Sequence, residues 1–117
     1  MKRHGLTLNL KPDLVAVYRE HHRRVWPEVE AGLRGIGIQE MTIFILGNRL
    51  FMLVDTNDEF EWETGFQGYL AEGRCAAWQK LMNGFQEPVP EAREGEWWAA
   101  MEEVYHLPLS PEIPIGT

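Results

Sequence analysis

Large apolar side chains alternate with polar ones near the start of the chain. Leu6, Leu8 and Leu10 are separated by Thr7 and Asn9. A two-residue period of this kind is typical of a β-strand with one apolar face. The pattern therefore predicts a first strand over residues 6–10.

The spacing then changes to that of a helix. Pro12 and Asp13 are residues that favour the first turn of a helix. Four large side chains follow at helical spacing and share one face: Leu14, Tyr18, His22 and Val25. Pro27 interrupts the hydrogen-bond ladder. We therefore expect a break there and a second helical segment over residues 27–33, ended by Gly35 and Gly37.

Two apolar runs, residues 41–46 and 50–56, flank the dipeptide Gly47-Asn48. This arrangement predicts a β-hairpin. Apolar residues occupy both alternating sets of positions in each run, so both faces of the sheet need cover. Helices can cover one face. A partner subunit or the chain's own tail is expected to cover the other.

The rest of the chain completes an α+β pattern. Residues 58–71 and 72–85 are predicted to be helical, and residues 101–107 to form the last strand. The resulting order, β-α-β-β-α-β, is that of a ferredoxin-like fold with helices on one face of an antiparallel sheet. Two such sheets commonly pair into a dimeric α/β barrel, so we expect a homodimer.

The domain organisation is predicted to be simple. A chain of 117 residues fits one domain, which we assign to residues 1–107. Residues 108–117 contain three prolines and are predicted to form an extended C-terminal tail.

Charge and cysteine content limit the partners and the cellular compartment that we expect. The formal net charge is −7, and an acidic surface disfavours nucleic acid and anionic membranes as partners. The N-terminal apolar run is short and interrupted, so neither a signal peptide nor a membrane span is expected. Cys75 is the only cysteine. No internal disulfide can form, and we expect a cytoplasmic protein.

His22 is the leading candidate for acid/base chemistry. It follows Tyr18 by four residues, so both side chains share the helix face predicted to point inward. Imidazole has a pKa of about 6.5 and transfers protons near neutral pH. The alternative interpretation is a core histidine held by a backbone carbonyl.

Tryptophans and one carboxylate are further candidates. Aromatic rings stack on the C–H faces of sugars, although most tryptophans are packing residues; the chain has five, and we expect one or two to touch a ligand. Glu28 directly follows Trp26-Pro27 and could serve as an acid/base or a support. His21 and His22 are neighbours on a helix and point about 100° apart, so no metal site is expected.

Several separate strings, in order, carry a resemblance to a known family. They are Tyr18-x-x-x-His22-x-x-x-Trp26-Pro27-Glu28, Gly37-Ile38-x-x-Met41-x-Ile43-Phe44, Gly47-Asn48-Arg49-Leu50-Phe51-Met52, Trp78-x-x-Leu81-Met82, Phe85-Gln86-x-Pro88, Gly95-Glu96-x-Trp98 and Glu103-Val104-Tyr105-x-Leu107. From residue 6 to residue 107 the chain resembles the L-rhamnose mutarotase family. Its Phe85-Gln86-x-Pro88-x-Pro90 and Gly95-Glu96-x-Trp98 strings are most similar to the L-fucose mutarotase branch.

The resemblance implies a ferredoxin-like dimer that interconverts the α and β anomers of a 6-deoxy sugar. It implies His22 as proton donor, Tyr18 in contact with the sugar, and Trp78 as the first of a tryptophan pair that lines the sugar site. The second tryptophan of that pair is Gln79 here, and a substrate-contacting tyrosine of the rhamnose enzyme is Met41. These two differences favour L-fucose over L-rhamnose.

Anomer exchange needs only proton transfer and positioning. An acid protonates the ring oxygen while a base removes the proton of the anomeric hydroxyl; the ring opens, rotates about C1–C2 and recloses. We therefore expect no cofactor and no metal. His22 is assigned to the ring-oxygen proton, and Tyr18, Glu28 or water could be the counter-base.

Three other functions remain open at this point. One is a mutarotase for L-rhamnose or for a different 6-deoxy sugar. Another is a non-catalytic dimeric ferredoxin-like module that binds a small ligand. The third is a related dimeric α/β-barrel enzyme, such as a haem-degrading or quinol monooxygenase, in which His22 would be an axial ligand.

Overall fold

Five strands and four α-helices make up residues 1–109, the part of the chain that the computed structural model describes. In chain order the elements are β1 (Lys2–Leu10), a 3₁₀ turn (Pro12–Leu14), α1 (Val15–His21), α2 (Pro27–Gly35), β2 (Ile38–Leu46), β3 (Arg49–Thr56), α3 (Gln67–Leu70), α4 (Gly73–Asn83), β4 (Gln86–Glu87) and β5 (Ala99–Met101). The break predicted before Pro27 is confirmed, and so is the hairpin. Gly47 begins its turn with a φ of 62°, a conformation that glycine adopts without strain.

The strands form one antiparallel sheet in the order β2-β3-β1-β4, and β5 also pairs with β1. β4 lies beside Asn9 and Leu10, whereas β5 lies beside residues 5–7. These two short strands therefore share the edge position that a single last strand holds in a ferredoxin-like sheet. The predicted ferredoxin-like α+β fold is confirmed.

The two faces of the sheet have different surroundings. The inner face packs against the helices and is buried; its residues on β1 and β3 are Leu6, Leu8, Leu10, Leu50, Met52 and Val54. The outer face carries the stacked rings of Phe44 and Phe51. Phe44 is 56% exposed and Leu46 is 85% exposed. The helices of residues 1–109 therefore cover only one face, as the two-sided apolar pattern predicted.

The prediction of a helix over residues 58–71 is wrong for most of that range. Only Gln67–Leu70 is helical, and turns precede it. Phe60 and Trp62 both pack edge-on against Phe66, with ring centroids 5.3 and 4.9 Å away. Residues two apart point to opposite sides of a helix, so the aromatic cluster requires turns instead. The predicted second helix is confirmed as α4.

The prediction of a strand over residues 101–107 is also wrong. The ladder with β1 runs from Ala99 to Met101 and then ends. Glu102 and Glu103 follow, and charged residues of this type are depleted in strands. The apolar side chains beyond them, at Val104, Tyr105, Leu107 and Leu109, are all exposed.

The tail predicted for residues 108–117 lies outside the described residues from residue 110 onward. The domain boundary at residue 107 stays a prediction. The longest helix in the described part of the chain has 11 residues, and no helix there is long and apolar enough to cross a membrane.

Candidate active site

An open cavity of about 1420 Å³ is bordered by residues of the sheet and of the helices. Three of the candidates from the sequence border it: Tyr18, His22 and Trp78. Tyr18 and His22 come from α1 and its C-terminal cap, and Trp78 comes from α4. The shared helix face predicted from their spacing is thus the face that borders this cavity.

The His22 ring is fixed by a backbone contact. Its Nδ1 lies 3.0 Å from the carbonyl oxygen of Tyr18, one helical turn earlier. A carbonyl can only accept, so Nδ1 carries the proton, and the neutral ring has its lone pair on Nε2. The ring also stacks on the Tyr18 ring at 4.2 Å between centroids. Both contacts restrict its orientation.

Burial disfavours the charged form of His22 and lowers its pKa below the ordinary 6.5. The hydrogen bond to the Tyr18 carbonyl opposes this effect, and the neighbouring His21 adds to it. The imidazole is therefore mostly neutral at pH 7, and its protonated form is a stronger acid than free imidazolium.

Tyr18 is buried, and this burial raises the pKa of its hydroxyl to about 12. The side chain of Gln86 partly opposes the increase. A phenol with this pKa stays protonated near neutral pH. Tyr18 can thus donate or accept a hydrogen bond at the cavity, but it is poorly suited to be a base.

Trp78 is held between two other aromatic rings. Its indole meets the Trp26 ring at 5.1 Å and the His22 ring at 5.5 Å, both nearly edge-on. It is only 6% exposed. Edge-to-face pairs add about 0.5–1.5 kcal/mol beyond burial of area. The indole is therefore held firmly where it borders the cavity.

Trp26 and Glu28 lie behind this site rather than in it. The guanidinium carbon of Arg74 is 3.8 Å from the centre of the Trp26 ring, and its Nε is 4.0 Å from a Glu28 carboxylate oxygen. The Glu28 side chain is about half exposed. Glu28 does not border the cavity, so the structure separates it from His22, and Trp26 reaches the site only through Trp78.

The sequence did not single out Gln86, which also borders the cavity. It is 3% exposed, and its Oε1 accepts a hydrogen bond from Trp97 Nε1 at 2.9 Å. Its only signal in the sequence is its place in the string Phe85-Gln86-x-Pro88. Met41 and Gln79, the two differences from the rhamnose enzyme, border the cavity as well.

His4 is a second histidine on the cavity wall that sequence reasoning did not select. Its ring lies 5.4 Å from the Trp62 ring, and its Nε2 is 3.4 Å from the Thr56 hydroxyl. Burial and the charge of Lys2 lower its pKa. On the sheet it stands opposite Val54, whereas His22 lies by Ile43, Ile45 and Leu50.

The site thus combines a proton-transferring imidazole, a neutral phenol and an indole face around one cavity. Such a set can exchange protons with a neutral polar ligand that also has an apolar face. Comparison with known proteins shows which family has this sequence. The sequence model of the L-rhamnose mutarotase family matches residues 3–107. The chain belongs to the L-rhamnose mutarotase family.

Relatives of this mutarotase differ in the sugar that their names give. An L-fucose mutarotase from Xanthomonas campestris pv. campestris is 33% identical, covering 100% of this chain and 97% of that protein. An L-rhamnose mutarotase from Escherichia coli K12 is 26% identical, covering 92% of this chain and all of that protein. The protein is therefore a sugar mutarotase, an isomerase that interconverts anomers.

The fold comparison agrees with the topology described above. The crystal structure of an L-rhamnose mutarotase from Formosa agariphila superposes with a TM-score of 0.69. It is 21% identical and covers 92% of this chain and all of that chain. At this identity the match supports the fold of the mutarotase and not its sugar.

Proposed function

We propose that this mutarotase interconverts the α and β anomers of L-fucose, with His22 as the acid/base group. A relative that is similar over the full length of the chain has the name L-fucose mutarotase. Met41 and Gln79 on the cavity wall take the places of a tyrosine and a tryptophan of the rhamnose enzyme. These replacements remove a hydroxyl and an indole, which changes the pattern of sugar hydroxyls that fits.

The observation that supports the role of His22 most directly is its hydrogen bond. Because Nδ1 is committed to the Tyr18 carbonyl at 3.0 Å, Nε2 is the nitrogen that gains and loses the exchangeable proton. A core histidine held by a carbonyl would make the same contact. The difference is that this ring also borders an open cavity beside Trp78.

The chemistry follows from this arrangement. The imidazolium Nε2–H gives its proton to the ring oxygen while a base takes the proton of the anomeric hydroxyl, and the C1–O5 bond breaks to leave an open-chain aldehyde. After rotation about C1–C2, the C5 oxygen closes on the other face of C1; the neutral imidazole takes its proton back from that oxygen while the protonated base returns its proton to the aldehyde oxygen. No atom is gained or lost.

Water is the counter-base that this proposal adopts. The raised pKa of Tyr18, about 12, makes the phenol a hydrogen-bonding partner rather than a base at neutral pH. Glu28 pairs with Arg74 outside the cavity. These two observations support water, the third candidate that the sequence left open, as the counter-base.

Saturation-transfer NMR of the anomeric protons tests the substrate. We expect faster exchange for L-fucose than for L-rhamnose, each relative to its own rate without enzyme. Faster enzymatic exchange of L-rhamnose would reverse the assignment of the sugar. The absence of acceleration for either sugar would instead support the non-catalytic ligand-binding alternative.

We further propose a homodimer that works in the cytoplasm. The exposed Phe44 and Leu46 on the outer face of the sheet form the kind of apolar patch that marks an interface. The lone cysteine, Cys75, is a buried thiol whose pKa burial raises to about 11. A single inert thiol suits a reducing compartment.

A further inference from the structure

The cavity contains a buried polar side chain to which the ring-opening chemistry gives no role. Gln86 is 3% exposed and belongs to β4, which pairs with the end of β1 at Leu10. A primary amide is costly to bury unless its polar atoms find partners. The hydrogen-bond partners of the amide oxygen and of the amide nitrogen are therefore considered in turn.

The oxygen end is used inside the protein. Gln86 Oε1 accepts a hydrogen bond from the indole Nε1–H of Trp97 at 2.9 Å. An indole nitrogen can only donate, so this bond fixes which end of the amide is oxygen and which is nitrogen. The amide is thus held by Trp97, which borders the same cavity.

The nitrogen end is not used by Trp97, and Gln86 borders the same cavity as Tyr18 and His22. The amide neighbours the Tyr18 hydroxyl, whose pKa it lowers against the effect of burial. A primary amide nitrogen carries two N–H groups, so one is left for a ligand even when the other points to Tyr18. Of the sheet side chains that border the same cavity, Met41, Ile43 and Met52 are apolar and cannot bind a hydroxyl, whereas His4 lies beside Trp62 and Thr56.

We propose that Gln86 determines sugar specificity by donating a hydrogen bond to a ring hydroxyl at C2 or C4. L-fucose and L-rhamnose have opposite configurations at these two carbons and the same configuration at C3 and C5. An N–H group in a fixed position can donate to the hydroxyl in one configuration. With the sugar of opposite configuration, the N–H group has no hydroxyl to bind. This inference rests on the proposed function, because it concerns how the same site selects L-fucose.

A purely structural role for Gln86 makes a different prediction. If the side chain only anchors Trp97, removing either partner of the 2.9 Å hydrogen bond should have the same effect. If the amide nitrogen binds the sugar, the two changes differ. Gln86→Met removes the N–H groups at similar volume, whereas Trp97→Phe breaks the same hydrogen bond and keeps them.

The experiment measures kcat/KM for anomer exchange of L-fucose and L-rhamnose in the full-length wild type, Gln86→Met and Trp97→Phe. We expect Gln86→Met to lower the value for L-fucose about 3–10-fold, the loss of one hydrogen bond, with little change for L-rhamnose. Trp97→Phe frees the amide but keeps its N–H groups, so it should lose less of the preference for L-fucose than Gln86→Met does. Equal loss of preference in both variants, or equal effects of Gln86→Met on both sugars, would overturn the proposal.

Deoxy sugars identify the hydroxyl. With the wild type, kcat/KM for either 2-deoxy- or 4-deoxy-L-fucose should be lower than for L-fucose by about the same factor as Gln86→Met causes. For that deoxy sugar, Gln86→Met should lower kcat/KM no further, because the hydroxyl that binds the amide is already absent. Independent, multiplying losses for both deoxy sugars would contradict a contact at C2 or C4. If Gln86→Met does not fold, Gln86→Asn, which keeps the amide but shortens its reach, should show the same selective loss.

The proposed function can fail separately from this inference. A wild type that accelerates neither sugar, or prefers L-rhamnose, would refute the assignment of L-fucose and with it the selection by Gln86. A wild type that prefers L-fucose, together with a Gln86→Met variant that keeps the preference, would refute the role of Gln86 alone.

Discussion

The ring of His22 lies on the ring of Tyr18, 4.2 Å away between centroids, and hydrogen-bonds to the backbone oxygen of that same residue. One helical turn thus provides the proposed acid/base group, its tautomer and the phenol beside it. His22 is also the C-terminal cap of α1, after which the chain turns towards Pro27.

Replacing His22 tests the centre of the proposed mechanism. We expect His22→Ala to lose most of the acceleration, about 10²–10⁴-fold, because this is the usual contribution of a positioned acid/base. That loss corresponds to about 3–5 kcal/mol of barrier lowering. Saturation-transfer NMR measures the exchange rate, and thermal unfolding checks that the variant is folded.

His21 provides the matched control for that experiment. Its Nδ1 makes the same type of bond, 2.9 Å from the Val17 carbonyl oxygen, but its side chain does not border the cavity. We expect His21→Ala to retain most of the exchange rate. A folded His22→Ala protein with a near-native rate would show that His22 is a structural histidine.

The pH dependence follows from the lowered pKa of His22. Burial places this pKa below 6.5, and the proposed mechanism needs the imidazolium at the ring oxygen. The enzymatic kcat/KM for L-fucose should therefore be highest below that pKa and fall as the pH rises through it. The measurement subtracts the rate without enzyme at every pH. A rate that falls on acidification would instead assign His22 to the anomeric hydroxyl as a base.

Trp78 calls for a conservative substitution. Truncating a buried tryptophan to alanine costs about 3–5 kcal/mol, and Trp78 is packed between Trp26 and His22. Trp78→Ala is therefore expected to lose much of its stability. Trp78→Phe keeps an aromatic ring, and we expect it to stay folded and to raise the KM for L-fucose.

The control for Trp78 is Trp26→Phe, which alters the ring behind Trp78 but not the cavity wall. It should change the melting temperature more than the KM. An unchanged KM in a folded Trp78→Phe variant would make Trp78 a packing residue.

Local patterns predicted the elements that depend on near neighbours. The alternation of leucines predicted β1, and Gly47-Asn48 predicted the hairpin. The elements that were missed depend on contacts distant in sequence. The ring of Phe60 packs against the rings of Phe66 and His4. A search for helical periodicity cannot predict such contacts.

The residues of the candidate site were also predicted only in part. The spacing of Tyr18 and His22 was enough to place both on the cavity, because one helix face carries them. Gln86 was missed because its role depends on Trp97, eleven residues later, and on the pairing of β4 with β1. A buried polar residue in a two-residue strand has no periodic signal in the sequence.

Two glycines of α2 give a matched test of packing. A Cβ on Gly32 would lie 2.7 Å from the Cys75 sulfur and 3.0 Å from a Tyr69 ring carbon, whereas one on Gly35 would meet nothing within 4 Å. We expect Gly32→Ala to lower the free energy of unfolding by about 1–3 kcal/mol through overpacking. Gly35→Ala should change it by less than about 1 kcal/mol. Urea unfolding measures both, and equal effects would show that α2 shifts to accommodate the methyl group.

The outer face of the sheet carries the last prediction, which concerns assembly. A stable interface buries about 800 Å² per partner, and a sheet with helices on one face offers its other face for this purpose. Phe44 and Leu46 are the large apolar residues of β2 that are most exposed there. We expect the wild type to sediment as a dimer at micromolar concentration and Phe44→Glu/Leu46→Glu to sediment as a monomer, because symmetry places the new charges in the interface from both subunits. Val17→Glu changes an exposed apolar residue of α1 and should leave the dimer intact. A monomeric wild type, or a double variant that stays dimeric, would remove the outer face as the interface.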